Sequence, residues 1–292
     1  MRVAAIDIGT NTLLMTIGER THGGTLRVLR DEHSIARLGA GVDAAGNIGS
    51  EAIERAANIL RHYRTICDEL NVQTVVAVGT SALRDAANRD KVCAALGNII
   101  GAEIRVIDGA TEAALSFRGT TESNAPAVVI DIGGGSTEII AGRNCLIEYR
   151  ESVNIGAVRL TERFFDTLPP KKETVYAVTE FIFRQLPDTL PTYHPIAVAG
   201  TATTLAAIAC GGFFPERIYG YKLSLDEATA ITERLLRLSP PEIIAIPGVH
   251  SQRADILPAG AVILISIMKK FNLNACTIST RGLRFGVLLE II

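Results

Sequence analysis

The pattern of apolar and polar residues contains one short unit twice. The apolar run 128–130 leads into Asp131 and Ile132, and residues 133–138 then read Gly-Gly-Gly-Ser-Thr-Glu. This pattern predicts a buried strand that ends in a tight turn, where glycines let the backbone come close to an anion. Residues 6–12 align with residues 130–136, and Gly18 then aligns with Gly142. We therefore predict a duplicated lobe with two phosphate-binding turns; two unrelated glycine-rich hairpins are the alternative.

The first half of the chain has the pattern of an α/β lobe. Its strands are predicted at Val3–Ile8, Leu13–Arg20, Leu26–Leu38, Thr74–Val78 and Ile104–Ile107. Ser50 is a plausible N-cap for a helix to Leu70, because apolar residues recur there at three- and four-residue spacing. Further helices are predicted up to Ile100 and from about Ala110. Strands that alternate with helices favour parallel pairings beside the opening hairpins.

The second half repeats this order after a crossover at Asn124-Ala125-Pro126. Strands at Ala127–Asp131, Thr137–Ala141 and Cys145–Val153 repeat the opening three. Two helices separated at Pro169-Pro170 and a strand at Ile196–Ala199 follow, and that strand enters a turn at Gly200–Thr204. The remainder is predicted to be mainly helical, with helices at Leu225–Leu238, Ala259–Phe271 and after Gly282. We predict lobes at 1–122 and 123–292, with a final helix 282–292 that can pack back on the first lobe.

Composition and charge narrow the possible functions. The chain of 292 residues is 48% hydrophobic, lacks Trp and has a net charge of −2, so nucleic-acid binding has little support. Five scattered cysteines indicate reduced thiols in a cytoplasmic protein. The longest uncharged apolar stretch, Pro258–Met268, is too short to span a bilayer. The histidines lack metal-ligand spacing, so any metal should be a hard ion held by carboxylates.

Three acids lie at the two predicted turns. Asp7, Asp131 and Glu138 occupy strand ends or the residues just beyond them. Strand-end carboxylates are suitable ligands for a divalent ion that offsets phosphate charge. An Asp in this position can also simply cap its turn, although the matched positions of Asp7 and Asp131 favour an ion site.

Other candidate residues come directly after predicted strands. Thr80 and Ser81 can cap a helix that points at an anion, and Arg84 can bind phosphate oxygens; an ordinary capped helix with a solvated Arg is the alternative. Glu112 lies in the first turn of a predicted helix. Its negative charge there either only stabilises the helix through the helix dipole or serves as a base that activates water. The hydroxyls of Gly200–Thr204 suit phosphate binding or capping. Arg284 suits a phosphate contact or a surface ion pair.

Together these segments resemble the exopolyphosphatase/guanosine pentaphosphate phosphohydrolase family, in its short two-domain form, within the actin–Hsp70–sugar kinase superfamily. The resemblance covers nearly the whole chain. It rests on segments 7–12, 37–39, 79–86, 109–113, 131–138, 156–162, 200–205, 253–258 and 281–286. It implies two ribonuclease-H-like lobes with a cleft between them, and the release of terminal phosphate by water.

The resemblance also implies roles for single residues. Glu112 matches the catalytic glutamate, and Asp131 and Glu138 match the acids around magnesium, with Asp7 in support. Manganese is an expected substitute for magnesium. The phosphate contacts match Thr10, Asn11, Thr12, Ser81, Arg84, Gly134, Gly135, Ser136 and Thr201. The chain departs from the family pattern at Asp108, where Ser is usual, and at Ala199, where Gly is frequent.

The resulting hypothesis is an exopolyphosphatase that acts on short inorganic polyphosphates and forms a homodimer. Guanosine pentaphosphate is the alternative substrate for the same chemistry. A non-catalytic sensor of polyphosphate or alarmone is the alternative of another class, although Glu112 argues against it because binding an anion requires no added carboxylate. A sugar kinase of the same superfamily is also conceivable, but the lobes have little room for sugar-binding insertions.

Overall fold

The computed structural model of the protein describes residues 1–21, 24–121, 125–144 and 146–291, and it contains two sheets with helices packed on them. The predicted α/β class is therefore confirmed. The predicted boundary between residues 122 and 123 lies outside the described residues, as do Asn124 and Cys145. Two compact units are present, which we call unit 1 (Met1–Gly119 with Leu283–Ile292) and unit 2 (Thr120–Gly282). No helix in the described part of the chain is long and apolar enough to cross a membrane.

Unit 1 contains a five-stranded sheet in the order β3-β2-β1-β4-β5. The pairs β1–β2 and β2–β3 are antiparallel, and β1–β4 and β4–β5 are parallel. The strands are β1 (Arg2–Ile8), β2 (Thr12–Arg20), β3 (Leu26–Ile35), β4 (Thr74–Gly79) and β5 (Ile104–Val106). The helices are α1 (Val42–Ala45), α2 (Ser50–Glu69), α3 (Ser81–Asp85), α4 (Arg89–Ile100), α5 (Gly109–Thr120) and α13 (Leu283–Ile291).

Strand β1 is buried on both faces, which explains the apolar run from Val3 to Ile6. Because side chains alternate along a strand, Ala4 and Ile6 belong to one core cluster, which includes residues of α2. Val3 and Ala5 belong to another cluster, which includes Leu283, Val287 and Leu288 of α13. Helix α13 therefore supplies one side of the core of unit 1.

Unit 2 contains a six-stranded sheet in the order β10-β11-β9-β6-β7-β8. Its strands are β6 (Ala127–Ile132), β7 (Thr137–Arg143), β8 (Leu146–Val153), β9 (His194–Val198), β10 (Lys222–Ser224) and β11 (Ala275–Ile278). Its helices are α6 (Ala157–Phe164), α7 (Lys172–Gln185), α8 (Ala199–Ala209), α9 (Pro215–Ile218), α10 (Leu225–Leu235), α11 (Pro240–Ile244) and α12 (Leu257–Lys270). Helix α12 is buried along most of its length and forms the centre of the core.

The opening hairpin of each unit has the same register. Ile8 pairs with Leu13 in unit 1, and Ile132 pairs with Thr137 in unit 2. The next strand pair shifts register immediately before Gly18 in unit 1 and immediately before Gly142 in unit 2. A Cβ atom on Gly142 would lie 2.2 Å from the carbonyl oxygen of Leu146, so the shift requires glycine there. The repeat in the sequence thus corresponds to a repeated hairpin.

Several predicted elements differ from the structure. The prediction of a mainly helical C-terminal part misses β10 and β11, because runs of three and four residues are too short to show a strand period. The predicted turn at Gly200–Thr204 is wrong, since α8 begins at Ala199, directly after β9. Ala199, at the junction of β9 and α8, adopts a left-handed φ of 66°. Ser50 is the first residue of α2 rather than its N-cap, which is Gly49.

A buried ion pair holds α13 against the sheet of unit 1. Arg284 is 4% exposed, and its Nε and Nη2 atoms donate to Oδ1 and Oδ2 of Asp31, each at 2.9 Å. Nε also donates to the hydroxyl of Thr16 at 2.9 Å. Burial alone would raise the pKa of Asp31, but hydrogen bonds from His33 and Arg284 hold that pKa well below its usual value. Arg284 therefore forms a structural pair, and the surface ion pair left open by the sequence is wrong.

We predict that Asp31→Asn lowers the free energy of unfolding by about 2 kcal/mol. Breaking a fully buried pair typically costs roughly 3–5 kcal/mol, and the cost here is smaller because the Asp31 side chain is 34% exposed. Urea unfolding of the two proteins measures the difference. The matched control is Glu32→Gln on the same strand, whose ion pair with the half-exposed Arg30 should be worth at most about 1 kcal/mol.

The same comparison has a definite dependence on pH. Because the pKa of Asp31 is lower in the folded state than its unfolded value of about 3.9, its contribution is complete well above that pH and is lost as pH falls below it. The difference between the parent and Asp31→Asn should therefore shrink between pH 5 and pH 3. A difference that stays constant over this interval would contradict the assignment.

Candidate active site

Both glycine-rich turns are closed by the same backbone hydrogen bond. The amide of Gly9 donates to the carbonyl of Thr12 at 3.1 Å, and the amide of Gly133 donates to the carbonyl of Ser136 at 2.9 Å. A Cβ atom would lie 2.9 Å from the oxygen in the first turn and 3.0 Å from it in the second. These glycines are needed because the chain folds back on itself at close range.

In unit 2, the first residues of α6 donate hydrogen bonds to the carbonyl groups of the glycine-rich turn. The carbonyls of Gly133, Gly134 and Gly135 accept hydrogen bonds of 2.8–3.0 Å. The donors are the amides of Ala157, Val158 and Arg159 and the Nε atom of Arg159. A Cβ atom on Gly156 would lie 2.4 Å from the oxygen of Gly134, so glycine allows α6 to approach this closely.

These bonds fix the direction in which the turn's amides point. In a planar trans peptide, the N–H of one residue points away from the C=O of the residue before it. Since the carbonyls of Gly133, Gly134 and Gly135 all face α6, the amides of Gly134, Gly135 and Ser136 face the opposite side. Successive amides on one side form an anion-binding nest. The sequence assigned phosphate contacts to these three residues, and the backbone geometry suits that role.

In unit 1, the loop 36–39 takes the place of a helix. The carbonyl of Thr10 accepts from Gly39 at 2.8 Å, and the carbonyl of Asn11 accepts from Ala36 at 3.0 Å and from Arg37 at 2.9 Å. By the same peptide geometry, the amides of Asn11 and Thr12 point away from this loop. This is why β3 ends at Ile35 instead of the predicted Leu38. Arg37 adopts a left-handed φ of 53° there.

The side chain of Asn11 is suited to a ligand. Asn11 is 6% exposed, and within the described residues its Oδ1 atom accepts no hydrogen bond. A buried amide end that lacks a partner costs free energy. Because the amide can rotate by half a turn, its NH₂ group can face the same place and donate to a phosphate oxygen.

Glu112 is positioned by the cap of α5. The side chain of Asp108 accepts a hydrogen bond from the amide of Thr111 at 2.7 Å, and its carbonyl accepts from the amide of Glu112 at 2.9 Å. Asp108, where the chain departs from the family pattern, is therefore a capping residue. Asp and Ser both suit this position because each has a side-chain oxygen that accepts from the helix amides. Asp108 fixes Glu112 in the first turn of α5, where the residue is 9% exposed.

Arg84 forms an ion pair with Glu112. Its Nη1 atom donates to Oε2 of Glu112 at 2.5 Å and to the carbonyl of Ile107 at 3.0 Å. The Arg84 side chain is 21% exposed, so the alternative of a solvated Arg is wrong. The sequence identified both residues, but it could not show that they contact each other.

Thr80 and Ser81, which precede Arg84 in the chain by four and three residues, are both buried. Ser81 is 4% exposed, and its hydroxyl lies 3.5 Å from Oδ2 of Asp85, which is a long hydrogen bond. Thr80 precedes α3, but in the part of the chain that the structure describes its side chain makes no capping hydrogen bond. Thr80 therefore has the predicted N-cap position but not the capping bond, Ser81 is the first residue of α3, and the phosphate contact assigned to Ser81 stays a prediction.

Asp131 and Glu138 face each other across two strands. They are direct partners in the antiparallel register of β6 and β7. Glu138 is 1% exposed and accepts a hydrogen bond from the hydroxyl of Ser152 at 2.7 Å. Like charges in directly opposite positions repel, and a hard divalent ion bound by both carboxylates would remove that repulsion.

The corresponding position in unit 1 differs. Asp7 is 9% exposed and pairs with Leu14, so the first hairpin has one acid where the second has two. Among the described residues, no group of three His, Cys, Asp or Glu side chains could by itself hold a metal ion. A magnesium ion commonly uses only one or two carboxylates and completes its shell with water and substrate phosphates, so the pair Asp131 and Glu138 still fits it.

Thr201 lies inside α8 and faces α12. A Cβ atom on Gly260 would lie 2.4 Å from the hydroxyl oxygen of Thr201, so this side chain packs against that helix. The guanidinium of Arg253 lies over Gly200, and burial lowers the pKa of Arg253 to about 10. The phosphate contact assigned to Thr201 stays a prediction. Arg159, which braces the second turn, is the residue whose role sequence reasoning missed.

The comparisons with known proteins agree on one family. The chain matches the model of the Ppx/GppA phosphatase family over residues 16–292. It is similar to Exopolyphosphatase 2 of Mycobacterium tuberculosis, with 33% identity over 99% of this chain and 98% of that protein. It is also similar to the solved structure of an exopolyphosphatase from Cytophaga hutchinsonii, with 31% identity, a TM-score of 0.91, and coverage of 100% and 97% of the two chains.

A further solved structure, the Aquifex aeolicus member of the Ppx/GppA family, is 30% identical, with a TM-score of 0.83 and coverage of 100% of this chain and 97% of that one. Such neighbours have the two-domain, ribonuclease-H-like fold of the actin superfamily, which confirms the predicted fold class. With the family model matched over almost the whole length and relatives above 30% identity, the chain belongs to the Ppx/GppA phosphatase family.

Proposed function

We propose that this protein is an exopolyphosphatase, which releases terminal orthophosphate from inorganic polyphosphate by attack of water. The observation that carries the proposal is the ion pair between Glu112 and Arg84, which joins a carboxylate base to a phosphate-binding cation at 2.5 Å. The relatives named exopolyphosphatase favour polyphosphate over guanosine pentaphosphate as the substrate. Units 1 and 2 are then the two lobes of the enzyme.

Phosphate binding is assigned to the two turns and to Arg84. The amides of Gly134, Gly135 and Ser136 form a nest in unit 2, and Asn11 and Thr12 contribute amides in unit 1. These donors are held rigidly by their bonded carbonyls, so they need little reorganisation when charge develops in the transition state. Thr10, Ser81 and Thr201 are assigned as further contacts.

Glu112 is assigned as the general base. Its carboxylate takes a proton from water while the water oxygen forms a bond to the terminal phosphorus. The bridging P–O bond breaks in line, and the shortened polyphosphate leaves with the electron pair. The guanidinium of Arg84 favours the charged carboxylate, which is the form that accepts a proton. This base argues against a pure polyphosphate or alarmone sensor.

Asp131 and Glu138 are assigned as ligands of magnesium, with Asp7 in support and manganese as a substitute. The ion would offset the charge of the phosphate groups. Register supports this assignment, because it places the two acids directly opposite each other on neighbouring strands. The homodimer stays a prediction.

We predict that Glu112→Gln lowers the rate of phosphate release from polyphosphate by about 10²–10⁴-fold. Glutamine keeps the shape and a hydrogen-bonding group but cannot accept a proton. Binding of polyphosphate should survive, as measured by calorimetry. Glu103→Gln, at an exposed position before β5, is the matched control and should keep parental activity. Near-normal turnover of Glu112→Gln would remove Glu112 from the mechanism.

We also predict that Asp131→Asn and Glu138→Gln each raise the magnesium concentration needed for half-maximal activity. Each variant loses a charged oxygen ligand, and excess chelator should abolish the activity of the parent protein. Because the ligands are oxygen atoms, manganese should replace magnesium and zinc should do so poorly. Glu148→Gln on the neighbouring strand is the control, since that exposed residue pairs with Arg143. Full activity in chelator would contradict the carboxylate site.

A third prediction concerns chain length. Retaining a long polyanion through many cuts requires a basic track, because the attraction depends on the sum of phosphate contacts. The chain has net charge −2 and two Lys-Lys pairs, 171–172 and 269–270. The Nζ atom of Lys270 already binds the end of α7, because it donates to the carbonyls of Phe183 and Leu186 at 2.9 and 2.7 Å. We therefore expect a preference for short chains and release after one or a few cuts.

The products at early reaction times distinguish the two modes. Long polyphosphate is incubated with the enzyme, sampled early and separated on a gel. A gradual shortening of the whole population is the expected result. Full-length chains that coexist only with free phosphate would show processive cleavage and would overturn this prediction.

A further inference from the structure

Arg84 uses only one of its nitrogen atoms to bind the protein. Nη1 donates both to Glu112 and to the carbonyl of Ile107. Within the residues that the structure describes, Nε and Nη2 donate no hydrogen bond. These atoms carry three of the five N–H donors of a guanidinium and form the edge that binds a phosphate through two parallel hydrogen bonds. Neither of these two atoms is among the buried side-chain atoms without a partner, and 21% of the side chain is exposed, so that edge is accessible.

The two hydrogen bonds of Nη1 hold Arg84 to two neighbouring parts of the chain, the carbonyl of Ile107 and the carboxylate of Glu112. Ile107, which is 4% exposed, directly precedes Asp108, the cap of α5, and Glu112 lies in the first turn of that helix. A guanidinium is rigid and planar, so fixing Nη1 at two points restricts the direction of its remaining N–H bonds. The position of the carboxylate and the direction of the phosphate-binding edge therefore depend on each other.

We propose that Arg84 is a positioning residue for the base, which holds Glu112 through Nη1 while its other edge binds the terminal phosphate group. This inference rests on the proposed function and adds a coupling to it: the phosphate that will be attacked also fixes the group that aligns the base. A residue that only bound phosphate would affect the binding of substrate but would not change how Glu112 works.

The test compares Arg84→Lys and Arg84→Gln, each alone and combined with Glu112→Gln. Lysine keeps the positive charge, but its single ammonium group cannot hold Ile107, Glu112 and a phosphate in one plane. We expect Arg84→Lys to lower kcat by about 10²-fold, the size of effect that a small misplacement of a catalytic group produces. In the Glu112→Gln background the same change should lower kcat by less than about 3-fold, because the base is already lost.

The pH profile provides a readout that a purely structural role would not move. Removal of the adjacent positive charge makes a carboxylate easier to protonate. We therefore expect the acidic limb of the kcat/KM profile to move to higher pH in Arg84→Gln and to move less in Arg84→Lys. Arg89→Lys is the matched control, since Arg89 is half-exposed and pairs with Asp90 on the next helix. It should leave kcat and the pH profile unchanged.

The outcomes separate this inference from the proposed function. If Glu112→Gln is slowed as expected but Arg84→Lys lowers kcat equally in both backgrounds, or leaves the acidic limb unmoved, Arg84 binds phosphate only and the coupling is wrong. If Glu112→Gln is fully active, the assignment of the base fails, and the positioning role fails with it. Unfolding curves of all variants confirm that the compared proteins are folded.

Discussion

The planarity of the peptide bond is the constraint on which the candidate site depends. Once α6 and Arg159 occupy the carbonyls of Gly133–Gly135, the amides on the other side of the turn have one direction available to them. The turn therefore presents its donors without any side chain, and glycine is required at position 156 because a Cβ there would lie 2.4 Å from the carbonyl oxygen of Gly134. Rigidity here is a property of the backbone and its support, which is what electrostatic stabilisation of a phosphate needs.

Local sequence signals were sufficient to predict the two repeated hairpins. The runs before Asp7 and Asp131 showed strand, turn and duplication, because each uses residues that lie next to each other in the chain. The contact between Arg84 and Glu112 could not be read in this way, since it joins an α3 residue to an α5 residue through the fold. Strands β10 and β11 were missed for a related reason, because pairing with neighbouring strands, and not local period, makes them strands.

The two copies of the hairpin have the same backbone and different chemistry. Asp7 is opposite Leu14, whereas Asp131 is opposite Glu138, although both pairs occupy equivalent register positions. The support also differs, because the first turn is braced by loop amides and the second by a helix start and an arginine. One copy thus presents a single acid at these positions, and the other presents two. The two hairpins therefore share their backbone geometry and differ in their side chains.

Helix α13 has a consequence for how the protein is made. Its residues complete a core cluster with β1, and a Cβ on Gly286 would lie 1.9 Å from the oxygen of Leu115, so the helix belongs to the first unit's interior. Arg284 supplies the cation for Asp31 of that unit. A ribosome synthesises all of Thr120–Gly282 before it reaches these residues. The unit that starts first is therefore completed only after the whole of the second unit has been synthesised, and until then its sheet lacks the apolar cover of α13 and Asp31 lacks Arg284.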